Sequence, residues 1–122
     1  MKILIVEDDN FFRNFYTSKL KEKGYEVDSA SDGIEGLEKI KIWLPDLILL
    51  DIIMPKMDGF ELLTRMRNEN ISMNIPVIVF STLGQEVDVE KAKMLGAKDY
   101  INKSYFDFEN MLQKIKSFLP TK

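Results

Sequence analysis

Residues 47–55 read Leu47-Ile48-Leu49-Leu50-Asp51-Ile52-Ile53-Met54-Pro55. An apolar run enters an acid, and a proline follows closely. A continuous apolar run bounded by breakers reads as a strand buried on both faces, as in a parallel sheet. Asp51 then stands where that strand leaves the core. Open parallel sheets bind ligands outside the carboxyl ends of their strands, so Asp51 is expected at a crevice. Taken alone, it reads equally well as a turn residue or a helix cap.

The rest of the chain repeats the pattern. Ile3-Leu4-Ile5-Val6 ends in Glu7-Asp8-Asp9. Val77-Ile78-Val79-Phe80 ends in Ser81-Thr82, and the short Tyr100-Ile101 ends in Asn102-Lys103. Each run hands over to polar side chains at its C-terminal end, which suggests one crevice built from several strand ends. Between the runs lie helical stripes. Phe12, Phe15, Tyr16 and Leu20 fall on one face of a helix over 10–23, capped by Asp9 or Asn10 and ended by Gly24. Residues 25–29 alternate as an edge strand should. Ile34, Leu37, Ile40 and Leu44 are the expected buried face of the next helix, which Pro45 stops. Further helices are expected over 60–68, with Leu63 and Met66 inward, over 85–95, with Val89 and Ala92 inward, and along Phe108, Met111, Leu112, Ile115 and Phe118.

Strand and helix alternate five times. The expected fold is therefore α/β, a single-domain doubly wound five-stranded parallel sheet over residues 1–122 with five flanking helices. The central runs at 3–6, 47–50 and 77–80 fit the flavodoxin-like order 2-1-3-4-5, whose switch point brings Glu7 and Asp8 beside Asp51.

Composition narrows the chemistry. The 122 residues contain no cysteine and no histidine, which removes thiol nucleophiles, zinc–thiolate sites and the commonest general base. A net charge of −3 gives no basic stripe for nucleic acid. No apolar run is long enough for a membrane span, and no signal-peptide pattern precedes the first strand. The expectation is a cytoplasmic chain.

Carboxylates converging without histidine make a hard oxygen site of the kind Mg²⁺ prefers. Their mutual repulsion raises some of their pKa values, and a divalent ion relieves it. Lys103 adds a cation and Ser81 a hydroxyl. Such a set can stabilise a phosphoryl group in transfer, and a carboxylate can accept one. Singly, Lys103 reads as a surface lysine, Ser81 as a helix cap and the acids as a solvated turn.

Four segments together carry a resemblance. They are Ile3 to Asp9, Asp46 to Gly59 with its Met54-Pro55 and Asp58-Gly59 pairs, Val79 to Thr82, and Gly96-Ala97-Lys98-Asp99-Tyr100-Ile101-Asn102-Lys103. In this order they resemble the receiver domain of two-component response regulators over nearly the whole chain. The resemblance implies that Asp51 is phosphorylated by a histidine kinase or a histidine phosphotransfer protein. It implies that Glu7, Asp8, Asp51 and the Ile53 carbonyl hold Mg²⁺. It assigns Ser81 as the hydroxyl that moves to the phosphoryl group, Lys103 as the lysine that pairs with it, and Tyr100 as the aromatic that turns inward on activation. Asp9 falls outside the pair, as a cap or outer acid. One departure is Ser104, where the family has a proline after a cis peptide. A non-proline cis bond costs about 2.5–4 kcal/mol, so a trans bond is expected, which leaves open how far Lys103 reaches. The loop through Tyr105, Phe106 and Asp107 is expected to be longer than usual.

Three further expectations concern the chain's end, its signalling face and the phosphoryl lifetime. Pro120-Thr121-Lys122 leaves no room for an output domain, so a stand-alone receiver or a trimmed protein is expected. Val87 and Met94 are expected on the outer side of their helix, beside Tyr100, as a docking patch for a downstream protein or a phosphorylation-dependent homodimer. Ile53 and Leu83 flank the path of attacking water and cannot orient it, which implies a long-lived phosphoryl group. Three rivals stand beside this reading, one of them a receiver-like domain that no longer takes phosphate, against which the retention of all five site positions argues. A phosphatase or phosphotransferase enzyme with an aspartyl intermediate would want an acid where Ile53 stands. A flavin-binding module would want a phosphate loop where Glu7-Asp8-Asp9 stands.

Overall fold

The apolar runs form the strands, and the stripes between them form the helices. In the computed structural model, which describes residues 1–70, 74–105 and 107–119, strands β1 (Lys2–Val6), β2 (Glu26–Ala30), β3 (Leu47–Leu50), β4 (Val77–Ser81) and β5 (Asp99–Asn102) alternate with helices α1 (Asn10–Glu22), α2 (Gly33–Trp43), α3 (Gly59–Asn68), α4 (Glu86–Met94) and α5 (Phe108–Phe118). The strands pair in parallel in the order β2-β1-β3-β4-β5. Phe106 and residues 120–122 lie outside the described residues, and with them part of the expected long loop and the reading of the chain's end. A short 3-10 turn, Lys103–Tyr105, leads towards Asp107, which caps α5.

Side chains on each strand alternate between two cores. Leu4, Val6, Ile48, Leu50, Val77 and Val79 pack with residues of α2, α3 and α4. Ile3, Ile5, Leu47, Leu49, Ile78 and Phe80 pack with α1 and α5. This two-sided burial is why the central strands read as unbroken apolar runs rather than alternating ones. The sheet edges are β2 and β5, whose residues are mostly half-buried.

Besides Asp107 on α5, three further aspartates open helices. The side chains of Asp9, Asp32 and Asp58 accept hydrogen bonds from the N–H groups of Phe12, Glu35 and Glu61. Such a cap stabilises a helix by about 1 kcal/mol. Gly24, at φ +95°, turns the chain out of α1.

Helix α2 corrects one expectation. Leu37 and Ile40 are buried, but Ile34 is 44% exposed and Leu44 61% exposed. Leu44 is the C-cap and takes a left-handed conformation at φ 52°, which ends the helical register before its side chain can reach the core. Gly33 and Gly36 are buried in place of the two outer aliphatics. On α4, Ala92 is buried as expected and Val89 half-buried. No described helix is long and apolar enough to cross a membrane.

Candidate functional site

The β1–β3 ladder places the first two acids. The register pairs Val6 with Leu50. Beyond it, the Glu7 N–H donates to the Ala30 carbonyl and the Asp51 N–H to the Val6 carbonyl, each at 2.9 Å. The backbone ladder therefore continues past the strand ends and fixes both residues. Glu7 is 2% exposed and Asp51 6%, whereas Asp8 is open to solvent. One carboxylate oxygen from each of Glu7, Asp8 and Asp51 lies within 4.8 Å of the others.

Lys103 reaches this cluster from the end of β5. The Lys103–Ser104 peptide is trans, and the side chain still spans the crevice. Its Nζ lies 3.2 Å from Asp51 Oδ2 and also donates to Glu7 Oε1. The lysine side chain is only 6% exposed. A single ammonium thus faces two buried carboxylates. Burial pushes the Glu7 carboxyl well above its ordinary value, Asp51 pushes it further, and Lys103 opposes both. The second Glu7 oxygen accepts the Asp9 N–H at 3.2 Å. Burial, with the charge of Glu7, also pushes the phenol of Tyr16 upward.

The remaining expected residues divide. The Ile53 N–H donates to Asp51 Oδ1 at 3.3 Å, and its side chain is 51% exposed. Ser81 is fully buried at the end of β4, where its Oγ accepts the Leu83 N–H at 3.2 Å. The Tyr100 hydroxyl donates to the Leu83 carbonyl, and its ring packs against the core on the α4 side. Burial raises the Tyr100 phenol, and a hydrogen bond with Ser81 opposes the rise. Tyr100 is half-buried, and Leu83 is bonded to both Ser81 and Tyr100. Leu83 itself packs against the core. Val87 and Met94 are 65% and 77% exposed. Asp9 acts as the α1 cap.

Several contributors were not legible in the sequence. Arg13 Nη1 donates to the carbonyls of Glu7 and Asp8 at 2.9 and 3.2 Å, which ties the acidic turn to α1. Its placement one helical turn past the cap was the available signal. Gly59 admits α3 against the Asp51 segment. A Cβ there would meet the Asp51 carbonyl oxygen and stand 2.8 Å from Ile52 Cα. The rings of Phe12 and Phe80, expected only as core residues, lie beside the Lys103 ammonium.

Comparison with known proteins shows the family and the fold. The family model described as response regulator receiver domain matches residues 3–116. The chemotaxis protein CheY of Treponema pallidum is 41% identical over 121 residues, covering 97% of this chain and 82% of that protein. The DNA-binding dual master transcriptional regulator RpaA of a Synechocystis strain is 38% identical over 118 residues, covering 97% of this chain and 48% of that protein. The chain spans about half the length of that regulator and of several others it matches. The solved structure of the Vibrio cholerae chemotaxis protein CheY4 superposes with a TM-score of 0.89 at 30% identity, covering 97% of this chain and 98% of that one.

Proposed function

Since this chain belongs to the response regulator receiver family, we propose that Asp51 is its phosphoacceptor and that Glu7, Asp8, Ser81 and Lys103 serve the transfer. The observation that carries the reading is the joint placement of a buried Asp51 carboxylate, the Lys103 ammonium 3.2 Å from it, and two further acids within 4.8 Å. An Asp51 oxygen attacks phosphorus as the phosphorus–nitrogen bond of a phosphohistidine donor breaks. The electron pair leaves with the imidazole, which is protonated as it departs. These 122 residues contain no histidine, so the phosphohistidine lies outside them, on a histidine kinase or a histidine phosphotransfer protein. Lys103 and Ser81 offer a cation and a hydroxyl to the transferred oxygens.

The acidic cluster fits Mg²⁺. Its donors are hard oxygens, it holds more carboxylates than ammonium groups, and Glu7 is pushed towards protonation. Glu7, Asp8, Asp51 and the Ile53 carbonyl would hold the ion. When bound, it supplies the positive charge that lets the acids and a phosphoryl group share the crevice. The chain catalyses only its own phosphorylation and dephosphorylation. The enzyme and flavin rivals lose their ground, because Ile53 supplies no second acid and the first strand leads into carboxylates instead of a phosphate loop.

The switch runs through Leu83. If Ser81 turns to the phosphoryl group, it gives up the Leu83 N–H, and the loop that also holds Tyr100 must shift. Tyr100, Val87 and Met94 form the face through which a downstream protein, or a second copy, reads the change. The decisive experiment is phosphorylation by a small-molecule phosphodonor with Mg²⁺, read by intact mass. One phosphate is expected on the wild type and none on Asp51→Asn. Equal labelling of both would overturn the assignment.

A further inference from the structure

A lysine ammonium is a compact, strongly hydrated charge on a flexible stem, and it carries three N–H donors. Lys103 buries that charge almost completely. Glu7 and Asp51 accept hydrogen bonds from it. On its other sides stand aromatic rings. Lys103 Nζ lies 4.8 Å from the ring centroid of Phe12 and 5.4 Å from that of Phe80. The two rings meet edge to face, their centroids 6.2 Å apart at 77°. Tyr16 stacks on Phe12 at 5.8 Å and meets Phe80 edge-on at 5.0 Å. The three rings come from α1 and β4 and hold one another in place.

We infer that Phe12 and Phe80 are positioning residues for Lys103, their rings forming a corner that holds its ammonium against Asp51. The inference rests on the reading that Lys103 assists phosphoryl transfer. Cations within about 6 Å of a ring centroid are drawn to the negative face of the ring, more strongly when water is excluded. An aliphatic wall would exclude water equally well, but it would offer the remaining N–H no attraction. The ammonium would then swing among the rotamers of its stem. The rings remove that freedom before the phosphoryl group arrives, and this pre-organisation is the source of the rate gain.

The experiment compares self-phosphorylation from a small-molecule phosphodonor in the wild type, Phe12→Leu, Phe12→Tyr and a protein carrying pentafluorophenylalanine at position 12. The fluorinated ring keeps the shape and reverses the charge distribution of the face. Phe12 is chosen because it is only partly buried, unlike Phe80, and each variant is first checked for an unchanged melting temperature. Phe12→Leu and the fluorinated protein should be slowed about three- to tenfold, with Phe12→Tyr close to wild type. In the same proteins, the ¹⁵N-detected signal of the Lys103 ammonium should lose its ring-current shift and its protection from exchange in the two slowed forms. In a Lys103→Ala background, Phe12→Leu should add nothing. Wild-type rates in Phe12→Leu and the fluorinated protein, or an equal loss with and without Lys103, would overturn the corner. Lys103→Ala separates the two claims. An unchanged rate in that variant alone removes the role of Lys103 in transfer, and a large loss there with none in Phe12→Leu removes only the aromatic corner.

Discussion

Glu7 makes the stability of this fold depend on pH in an unusual direction. The residue is 2% exposed, and its carboxyl is pushed from an ordinary 4.5 up to about 8, first by burial and then by Asp51. The unfolded chain releases this proton near 4.5, whereas the folded chain keeps it until about 8. Between those values the folded state binds more protons, so unfolding free energy falls as pH rises. Each pH unit across that window is worth about 1.4 kcal/mol, which makes the total loss a few kcal/mol. Asp32 and Glu35 are shifted the opposite way, lowered chiefly by backbone hydrogen bonds. Their stabilisation is complete above their unfolded values and disappears only as pH falls below them, outside the Glu7 window. The perturbation is Glu7→Gln, which keeps the shape and stays neutral at every pH. The assay is urea unfolding in EDTA between about pH 5 and pH 8. The wild type should lose a few kcal/mol across the range and Glu7→Gln much less, so that the variant becomes the more stable protein at the alkaline end. With Mg²⁺ the wild-type slope should flatten, because binding favours the deprotonated carboxylate. Parallel curves for the two proteins in EDTA would refute the reasoning.

The other predictions are more direct. Saturating Mg²⁺ at about 100 times its Kd should stabilise the wild type by roughly 2.7 kcal/mol, and the rise in melting temperature should shrink in Asp8→Ala; an equal rise would remove Asp8 from the ion's ligands. Gly59→Ala sets a Cβ against the Asp51 and Ile52 backbone, so denaturant unfolding should show a loss of about 1–3 kcal/mol together with slower phosphorylation. Ile53→Asn gives the half-exposed position a group that can orient water, and radiolabelled phosphate should leave it several-fold faster than it leaves the wild type. Val87→Lys and Met94→Lys should weaken binding of the phosphorylated form to its partner, or its self-association, by about tenfold, because each places a charge in an interface core; unchanged binding and sedimentation would remove the patch.

Much of the fold was written in the apolar runs. A strand buried on both faces has little choice but to read as Leu47-Ile48-Leu49-Leu50, and three such runs mark the centre of the sheet. The strand-end polar residues then marked the crevice, because a parallel sheet gathers the C-terminal ends of its strands on one side. Helix faces were less legible where geometry departs from an ideal stripe. The spacing of Ile34 and Leu44 fits the buried face of α2, yet Leu44 lies in a left-handed cap, and Gly36 joins Leu37 and Ile40 against the sheet, close to Val6. Periodicity registers bulk, and a glycine that buries its backbone is invisible to it. Leu83 was a similar case. Its place two residues after Ser81 pointed to the water path, but the loop hydrogen bonds to Ser81 and Tyr100 accompany a side chain packed against the core.

Lys103 shows why the rest of the site needed three dimensions. Sequence alone placed an unassisted lysine after β5 with its reach open, since Ser104 replaces the expected proline. What holds the side chain lies far away in the chain. The acids come from the ends of β1 and β3, and the rings from α1 and β4. Phe12 and Phe80 belong to separate apolar patterns, each sufficient on its own to explain a core aromatic. Nothing in either pattern shows that the two rings meet, because their contact is set by how α1 lies across β4. The same holds for Arg13, whose guanidinium reads as a surface charge until the helix start is seen to aim it back at the Glu7 and Asp8 carbonyls. Chemistry at this site is legible where one strand end announces it, and hidden where it arises from the crossing of two elements that each look purely structural.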